Sequence, residues 1–162
     1  MLASGPVLGV IAGWALGGRI SSLGGLRVRW WPLLALAVTL RLIASTTGER
    51  ASIVHVAAFA GIAAVALANW RVAGMLPIAV GSTLNLAVVA ANGGMPVDHA
   101  ALATAGANMP SDRLHVPLTE ASALAVLADR IPVALFRAVY SLGDVLIAAG
   151  GFLVPFVTMR RR

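Results

Sequence analysis

The stretch that decides the fold spans residues 52–69 and reads SIVHVAAFAGIAAVALAN. It contains no Asp, Glu, Lys or Arg, and a helix of this length measures about 27 Å. That is close to the hydrocarbon thickness of a bilayer, about 30 Å, where every backbone N–H and C=O must be bonded within the chain. The stretch is therefore predicted to be a membrane-spanning helix.

Four further apolar stretches resemble it in length and composition. Together they predict five spans, at about residues 2–18, 30–46, 52–69, 75–91 and 138–158. Of the 162 residues, 59% are hydrophobic and only 11% are charged, against about 25% charged in a soluble domain. We expect an all-α, polytopic membrane helix bundle, one domain over residues 1–162, with a helical outer loop at residues 92–137.

The arginines predict the orientation of this bundle. Seven fall on one side of the spans: Arg19, Arg27, Arg29, Arg71, Arg160, Arg161 and Arg162. The other side holds four arginines and five of the six acids. Because positive charge is retained in the cytoplasm, we expect the N-terminus outside and the C-terminus inside. The four tryptophans then lie near the inner interface, where indole rings are common.

Composition also narrows the chemistry. The net charge of +6 is spread over short loops rather than gathered on one face, which favours membrane topology over nucleic-acid binding. Without cysteine or lysine, thiol and Schiff-base chemistry are excluded. His99 and His115 lack metal-ligand spacing, and no catalytic motif is present. We predict no metal, no cofactor and no catalytic residue. The Arg-only, Ala-, Gly- and Val-rich composition favours a bacterial cytoplasmic membrane.

The outer loop carries its own structural signals. Asp98 is placed to cap a short helix that ends at Gly106, and residues 115–117 are predicted to be extended. Thr119 is predicted to cap a second helix, which Pro132 ends. This loop is either a structural cap over the helix ends or a functional lid.

Four motifs resemble a known family. They are Asn-Gly-Gly-Met-Pro-Val at residues 92–97, His-x-Pro-Leu-Thr-Glu at 115–120, Ala-Asp-x-Ile-Pro at 128–132 and Tyr-Ser-Leu-Gly-Asp-Val-Leu-Ile-Ala at 140–148. The pattern resembles an uncharacterised bacterial family of small multi-pass membrane proteins. The resemblance implies no activity, but it identifies the outer loop and the entry to the last span as the characteristic features.

Polar side chains inside the spans are the main site signal, because each costs about 2.5–3.5 kcal/mol to insert when ionised. The candidates are Arg41, His55, Asn85, Asn92 and Asp144, all in the outer half of the predicted bundle. In a structural interpretation, Arg41 and Asp144 form an ion pair and Asn85 bonds across helices. In a functional one, Arg41 holds a phosphate or carboxylate and Asp144 is its counter-ion or a proton acceptor.

Glycines recur every four residues along the first span, at Gly5, Gly9, Gly13 and Gly17. Small residues on one face allow another helix to approach closely in lipid. The stripe is predicted to be a helix-association face. Its partner is either a helix of the same bundle, or a second copy or another membrane protein.

Three functions are compatible with these features. The favoured one is a non-enzymatic accessory or scaffold subunit acting by association with a membrane protein or as a homo-oligomer. The alternative is a small binding or transport protein for an anionic lipid or solute, with membrane lipids as partners. The last is an enzyme on a lipid-linked substrate, using some of five outer acid–base residues: Asp98, His99, Asp112, His115 and Glu120.

Overall fold

The computed structural model describes residues 4–46, 51–112 and 114–161. The α-helices of these residues are α1 (Ser4–Ala15), α2 (Trp31–Ile43), α3 (Ala51–Ala68), α4 (Met75–Asn92), α5 (His99–Ala105) and α6 (Leu142–Arg160). Four short strands are β1 (Met95–Val97), β2 (His115–Pro117), β3 (Ile131–Val133) and β4 (Ala138–Tyr140). Turns of 3-10 helix lie at Ile20–Gly25, Ala44–Thr46, Ala125–Leu127 and Ala134–Phe136.

Three of the helices, α3, α4 and α6, are long and apolar enough to cross a membrane. The helices α1 and α2 are also apolar but have only 12 and 13 residues, or about 18–20 Å. The predicted helical character is therefore confirmed. The five crossings and their orientation stay predictions.

The five apolar helices pack in a row, in the order α2, α3, α4, α6 and α1. Glycine contacts give the directions: Gly5 faces Ala148 and Gly13 faces Met159, so α1 and α6 run parallel. One end of the row, the loop end, carries residues 93–141. The other, the arginine end, carries residues 16–30 and 69–74 and the last turn of α6.

Residues 93–112 and 114–141 fold into a small α/β cap on the loop end. Strands β1 and β2 pair in parallel, and β3 and β4 pair antiparallel. Inside the cap, Val97, Leu102 and Val139 belong to one apolar cluster. Met95 and Leu114 instead pack into clusters with residues of α3 and α4 and of the α2–α3 region. The cap is therefore anchored to the bundle by apolar contacts.

Two expectations about this region are wrong. The last helix begins at Leu142 rather than at 138, because residues 138–140 pair with β3. The second loop helix does not form, since Leu124 takes the left-handed conformation (φ 54°) in the middle of it. The loop is therefore not purely helical. The short helix between Asp98 and Gly106 and the extended residues 115–117 are confirmed.

Candidate functional site

A hydrogen-bond network joins α4 to the start of α6. The Asn85 amide nitrogen donates to Asp144 Oδ1 at 2.9 Å, and Ser141 Oγ donates to Asn85 Oδ1 at 3.0 Å. Asp144 and Ser141 also form a capping box, in which Asp144 N donates to Ser141 Oγ at 3.0 Å. Such a box satisfies backbone donors that a helix start leaves free. Asn85 and Asp144 are thus brought together as part of the helix entry.

Glycine makes this network possible. A Cβ on Gly143 would collide with the side-chain oxygen of Asn85, and one on Gly81 would collide with the carbonyl oxygen of Gly143. Without side chains at these positions, α4 and α6 approach closely enough for the buried amide to reach across.

Arg41 lies close to this network without joining it. The ion pairs of the described residues join His115 to Asp112, His115 to Asp129 and Arg130 to Asp98, so the predicted direct pair of Arg41 with Asp144 is not formed. Its guanidinium carbon instead lies 5.7 Å from the centroid of the Phe59 ring, a cation–π contact. Its buried Nε has no hydrogen-bond partner. The charges of three carboxylates, Asp144, Asp112 and Asp129, stabilise the guanidinium, in that order.

His55 is the most deeply buried of the predicted candidates that can ionise. It is 2% exposed and stacks on Phe59 with ring centroids 4.7 Å apart. Neither ring nitrogen has a hydrogen-bond partner. Buried polar atoms usually have a hydrogen-bond partner. The ring nitrogens of His55 and the Nε of Arg41 are therefore exceptions.

The cap supplies a group that the sequence interpretation did not select, Asp129. Backbone bonds from Asp129 N to the Pro96 oxygen and from Asp98 N to the Asp129 oxygen hold it beside β1. Its side chain is buried, Oδ2 lies 4.0 Å from His115 Nε2, and Oδ1 has no partner. His115 Nδ1 in turn lies 2.7 Å from Asp112 Oδ1. The motif at 128–132 was the only sequence signal for Asp129.

The surroundings of Asp129 change its acidity. Burial raises the pKa of Asp129 to about 8, the charge of Asp144 adds to this effect, and Arg41 opposes it. An ordinary carboxyl is ionised at neutral pH, whereas Asp129 holds its proton in much of the population. The site therefore contains a carboxyl that can donate as well as accept a hydrogen bond.

A cavity of about 230 Å³ lies in the cap, and we call it the outer cavity. Its polar lining comes from His115, Asp129, Arg137, Tyr140 and Asn108. Arg137 is exposed, and its Nε donates to the Gly106 oxygen at 2.9 Å. The outer cavity thus has a buried carboxyl and an exposed guanidinium in its walls, whereas Arg41 and His55 do not line it.

Other candidates have structural partners. Asn92 lies apart from the polar network: its amide nitrogen donates to Val88 and Ala123 oxygens, and its oxygen accepts from Ala123 N, so it ties the cap to α4. Asp98 caps α5, and backbone N–H donors lower the pKa of its carboxyl. His99 and Glu120 are exposed. Of the five proposed acid–base residues, only Asp112 and His115 bond to each other.

The glycine stripe lies against the same chain. Gly5, Gly9 and Gly13 are buried, and a Cβ on each would meet α6. Gly17 is not part of this face. It follows the end of α1 in the left-handed conformation (φ 82°), and Gly18 N donates to the Gly13 oxygen at 2.8 Å, as in a Schellman motif.

These features define a class of protein: a helical bundle with three helices that could cross a membrane, closed at one end by a small cap over buried ionisable groups. Residues 25–156 match the Family of unknown function (DUF5317), and the chain belongs to that family. The match begins after α1. No curated protein and no solved structure matches the chain. The predicted membership of an uncharacterised family is confirmed.

Proposed function

We propose that this chain is a small protein of the bacterial cytoplasmic membrane that binds a small polar ligand in the outer cavity. It crosses the membrane five times, with the N-terminus outside and the C-terminus inside. The ligand presents a hydrogen-bond donor, a hydroxyl or an ammonium group, to Asp129. It also presents an anionic group to Arg137, which a solute or a lipid headgroup could supply.

The exposed faces of α1 and α2 support five crossings rather than three. Val7, Leu8 and Ile11 on α1 and Leu36 and Leu42 on α2 are each more than half exposed. Apolar patches this extensive are rare on proteins surrounded by water. Lipid is the natural environment for them, which supports the proposal that both shorter helices lie in the membrane beside α3, α4 and α6.

The observation that carries the binding proposal is the state of Asp129. Asp129 is 5% exposed, it lines the outer cavity, and its Oδ1 lacks a hydrogen-bond partner. An unsatisfied buried polar atom costs about 1–3 kcal/mol. Because Oδ1 has almost no exposed surface, the proposal requires a small shift of the cavity wall; a ligand with a donor group would then remove that penalty, so the cavity favours polar over purely apolar occupants.

The charges around Arg41 argue against placing the ligand's anionic group there. Asp144, Asp112 and Asp129 already compensate this guanidinium, and a further anion would be repelled by those that are ionised. The exposed guanidinium of Arg137 has one bond to a neutral carbonyl oxygen and lies at the outer cavity. We therefore assign the anionic group to Arg137.

Native mass spectrometry of protein extracted from membranes in a mild detergent tests this function. The wild type is expected to carry one small adduct per chain, and Asp129→Asn, which changes almost no volume, should reduce its occupancy about tenfold, because asparagine cannot ionise to form a charged hydrogen bond with the ligand. Asp98→Asn is the matched control, because Asp98 caps α5 and does not line the outer cavity. It should keep the adduct.

Two outcomes would overturn the proposal. If both variants retain the adduct equally, Asp129 does not bind it. A stoichiometric protein partner without any small adduct would favour the accessory-subunit function instead. That function then needs a docking surface other than Gly5, Gly9 and Gly13, because these glycines already face α6.

A further inference from the structure

A second cavity lies at the opposite end of the bundle from the cap. Its volume is about 660 Å³, and it lies between the end of α1 and the end of α6, within the size range of ligand sites, about 300–1,000 Å³. Its lining includes Arg19, Ser22, Arg160, Arg161, Leu16 and Met159. We call it the inner cavity, because the proposed topology places this end in the cytoplasm.

The chain turn after α1 builds this cavity. The left-handed Gly17 ends the helix, and Arg19 N then donates to the Met159 oxygen at 3.0 Å. That bond fixes the backbone of Arg19 beside the last turn of α6, next to Arg160 and Arg161. The three arginines are therefore brought together by a defined backbone contact rather than by a long linker.

These arginines have no acidic neighbour among the described residues. Asp98, Asp112, Glu120 and Asp129 belong to the cap and Asp144 to the first turn of α6, all at the loop end. None of the ion pairs in the described part of the chain includes an arginine of the inner cavity. Arg160 lies over the Phe156 ring, 5.2 Å from its centroid, which restricts where its guanidinium can lie.

A smaller cavity of about 310 Å³ continues the inner one. Ser22 and Arg161 line both, and Arg27 and Thr158 are added in the smaller. The two together offer four guanidinium groups and two hydroxyls. Guanidinium groups are well suited to phosphate, with which they form paired hydrogen bonds.

We infer that the inner cavity binds the phosphate group of an anionic phospholipid headgroup from the inner leaflet. The apolar side chains of Leu16 and Met159 contribute to the same lining. The exposed side chain of Trp14 lies on the last turn of α1. Indole rings prefer the headgroup level of a bilayer. Basic pockets between helices on the cytoplasmic side of membranes commonly take such headgroups. This inference does not depend on the outer cavity.

Lipid retention measures this site directly. The full-length protein is reconstituted in nanodiscs of equimolar phosphatidylcholine and phosphatidylglycerol, released into neutral detergent, and examined by native mass spectrometry. Phosphatidylglycerol should be retained in preference, and Arg19→Gln or Arg161→Gln should each lower the preference about fivefold, the effect of one basic residue near a membrane surface. Arg161 follows the last residue of α6, so its replacement leaves the helix intact.

Arg71→Gln is the matched control. Arg71 lies at the same end and stacks on an aromatic ring, Trp70, at the same 5.2 Å, but it lines neither cavity. An unchanged preference in this variant supports a defined site. An equal loss in all three variants, or no loss in any, overturns the inference. Competition by inorganic phosphate in the detergent solution would retain the phosphate chemistry but identify a soluble phosphate as the source.

Discussion

Replacing Asp129 with Asn removes one ionisable group from the wall of the outer cavity and changes almost no volume. The pKa of Asp129 is raised from 3.8 to about 8, first by burial. A carboxyl whose pKa is higher in the folded than in the unfolded state binds its proton more tightly when folded. Its contribution to stability is therefore complete below pH 3.8 and is lost as the pH rises to about 8.

The size of this loss follows from the two pKa values. At about 1.4 kcal/mol for each pH unit, the interval from 3.8 to about 8 corresponds to about 6 kcal/mol over its whole range. Between pH 5 and pH 9 roughly 4 kcal/mol of it remains to be lost. For a chain of this length, 1 kcal/mol shifts Tm by about 2–4 °C, so the contribution of Asp129 to Tm should fall by about 10 °C across that interval.

The assay is thermal unfolding in one mild detergent at pH 5, 7 and 9, followed by circular dichroism. Asp129→Asn should remove this contribution, because asparagine does not ionise, so Tm should fall by about 10 °C less than in the wild type. The other groups that face Asp129 are unchanged in both proteins: His115 on β2, Asp144 on α6 and Arg41 on α2. Asp98→Asn should leave the fall intact, since the pKa of Asp98 is lowered and it stays ionised throughout. Equal pH dependence in wild type and Asp129→Asn would refute the reasoning.

Three further changes test how the bundle is packed. Gly9→Leu should destabilise the isolated monomer by about 3 kcal/mol, because the side chain would collide with α6. A variant monomer with the Tm of the wild type would show that α1 and α6 do not touch. Gly143→Ala should cost about 1–3 kcal/mol by displacing Asn85, and an unchanged urea midpoint would contradict that contact. Asn69→Ala should lower the free energy of unfolding by about 2–3 kcal/mol, since the Asn69 side-chain amide accepts a hydrogen bond from Arg29 N and donates one to the Arg29 oxygen. The same urea titration would show no effect if these bonds are absent.

The helices could be predicted because their signals are local. Apolar length alone identifies α3 and α4 to within a residue or two, and the pairing of Asp98 with Gly106 identifies α5. The signal for the start of α6 was also present, in the capping box of Ser141 and Asp144. The predicted helix began too early, at residue 138. Residues 138–140 are as apolar as those of the helix that follows, but they pair with β3.

Beyond α5 and the extended residues 115–117, the fold of the cap could not be predicted, since it depends on contacts distant in sequence. Each strand has only three residues, and the pairing of Met95 with His115 spans a long separation. No local pattern shows that Leu124 would adopt a left-handed conformation and end the expected helix. Polar side chains inside the spans were found, because an ionisable group in an apolar run is conspicuous. Asp129 was missed as a site residue because it lies in a loop, where a carboxylate is ordinarily solvated.

The charges of Arg41 and Asp129 influence each other across the boundary between the bundle and the cap. A guanidinium removed from water needs compensating charge. Two of the three carboxyl groups near enough to supply it, Asp112 and Asp129, belong to the cap rather than to a helix, and Asp129 supplies charge only when it is ionised. In the other direction, Arg41 is the charge that opposes the rise in the pKa of Asp129. Each group thus stabilises the ionised form of the other only while the cap sits on the loop end. A ligand that donates to Asp129 stabilises its ionised form as well, and so strengthens the attraction between cap and bundle. If the proposed ligand binds in the outer cavity, its binding and the docking of the cap are thermodynamically linked through Asp129.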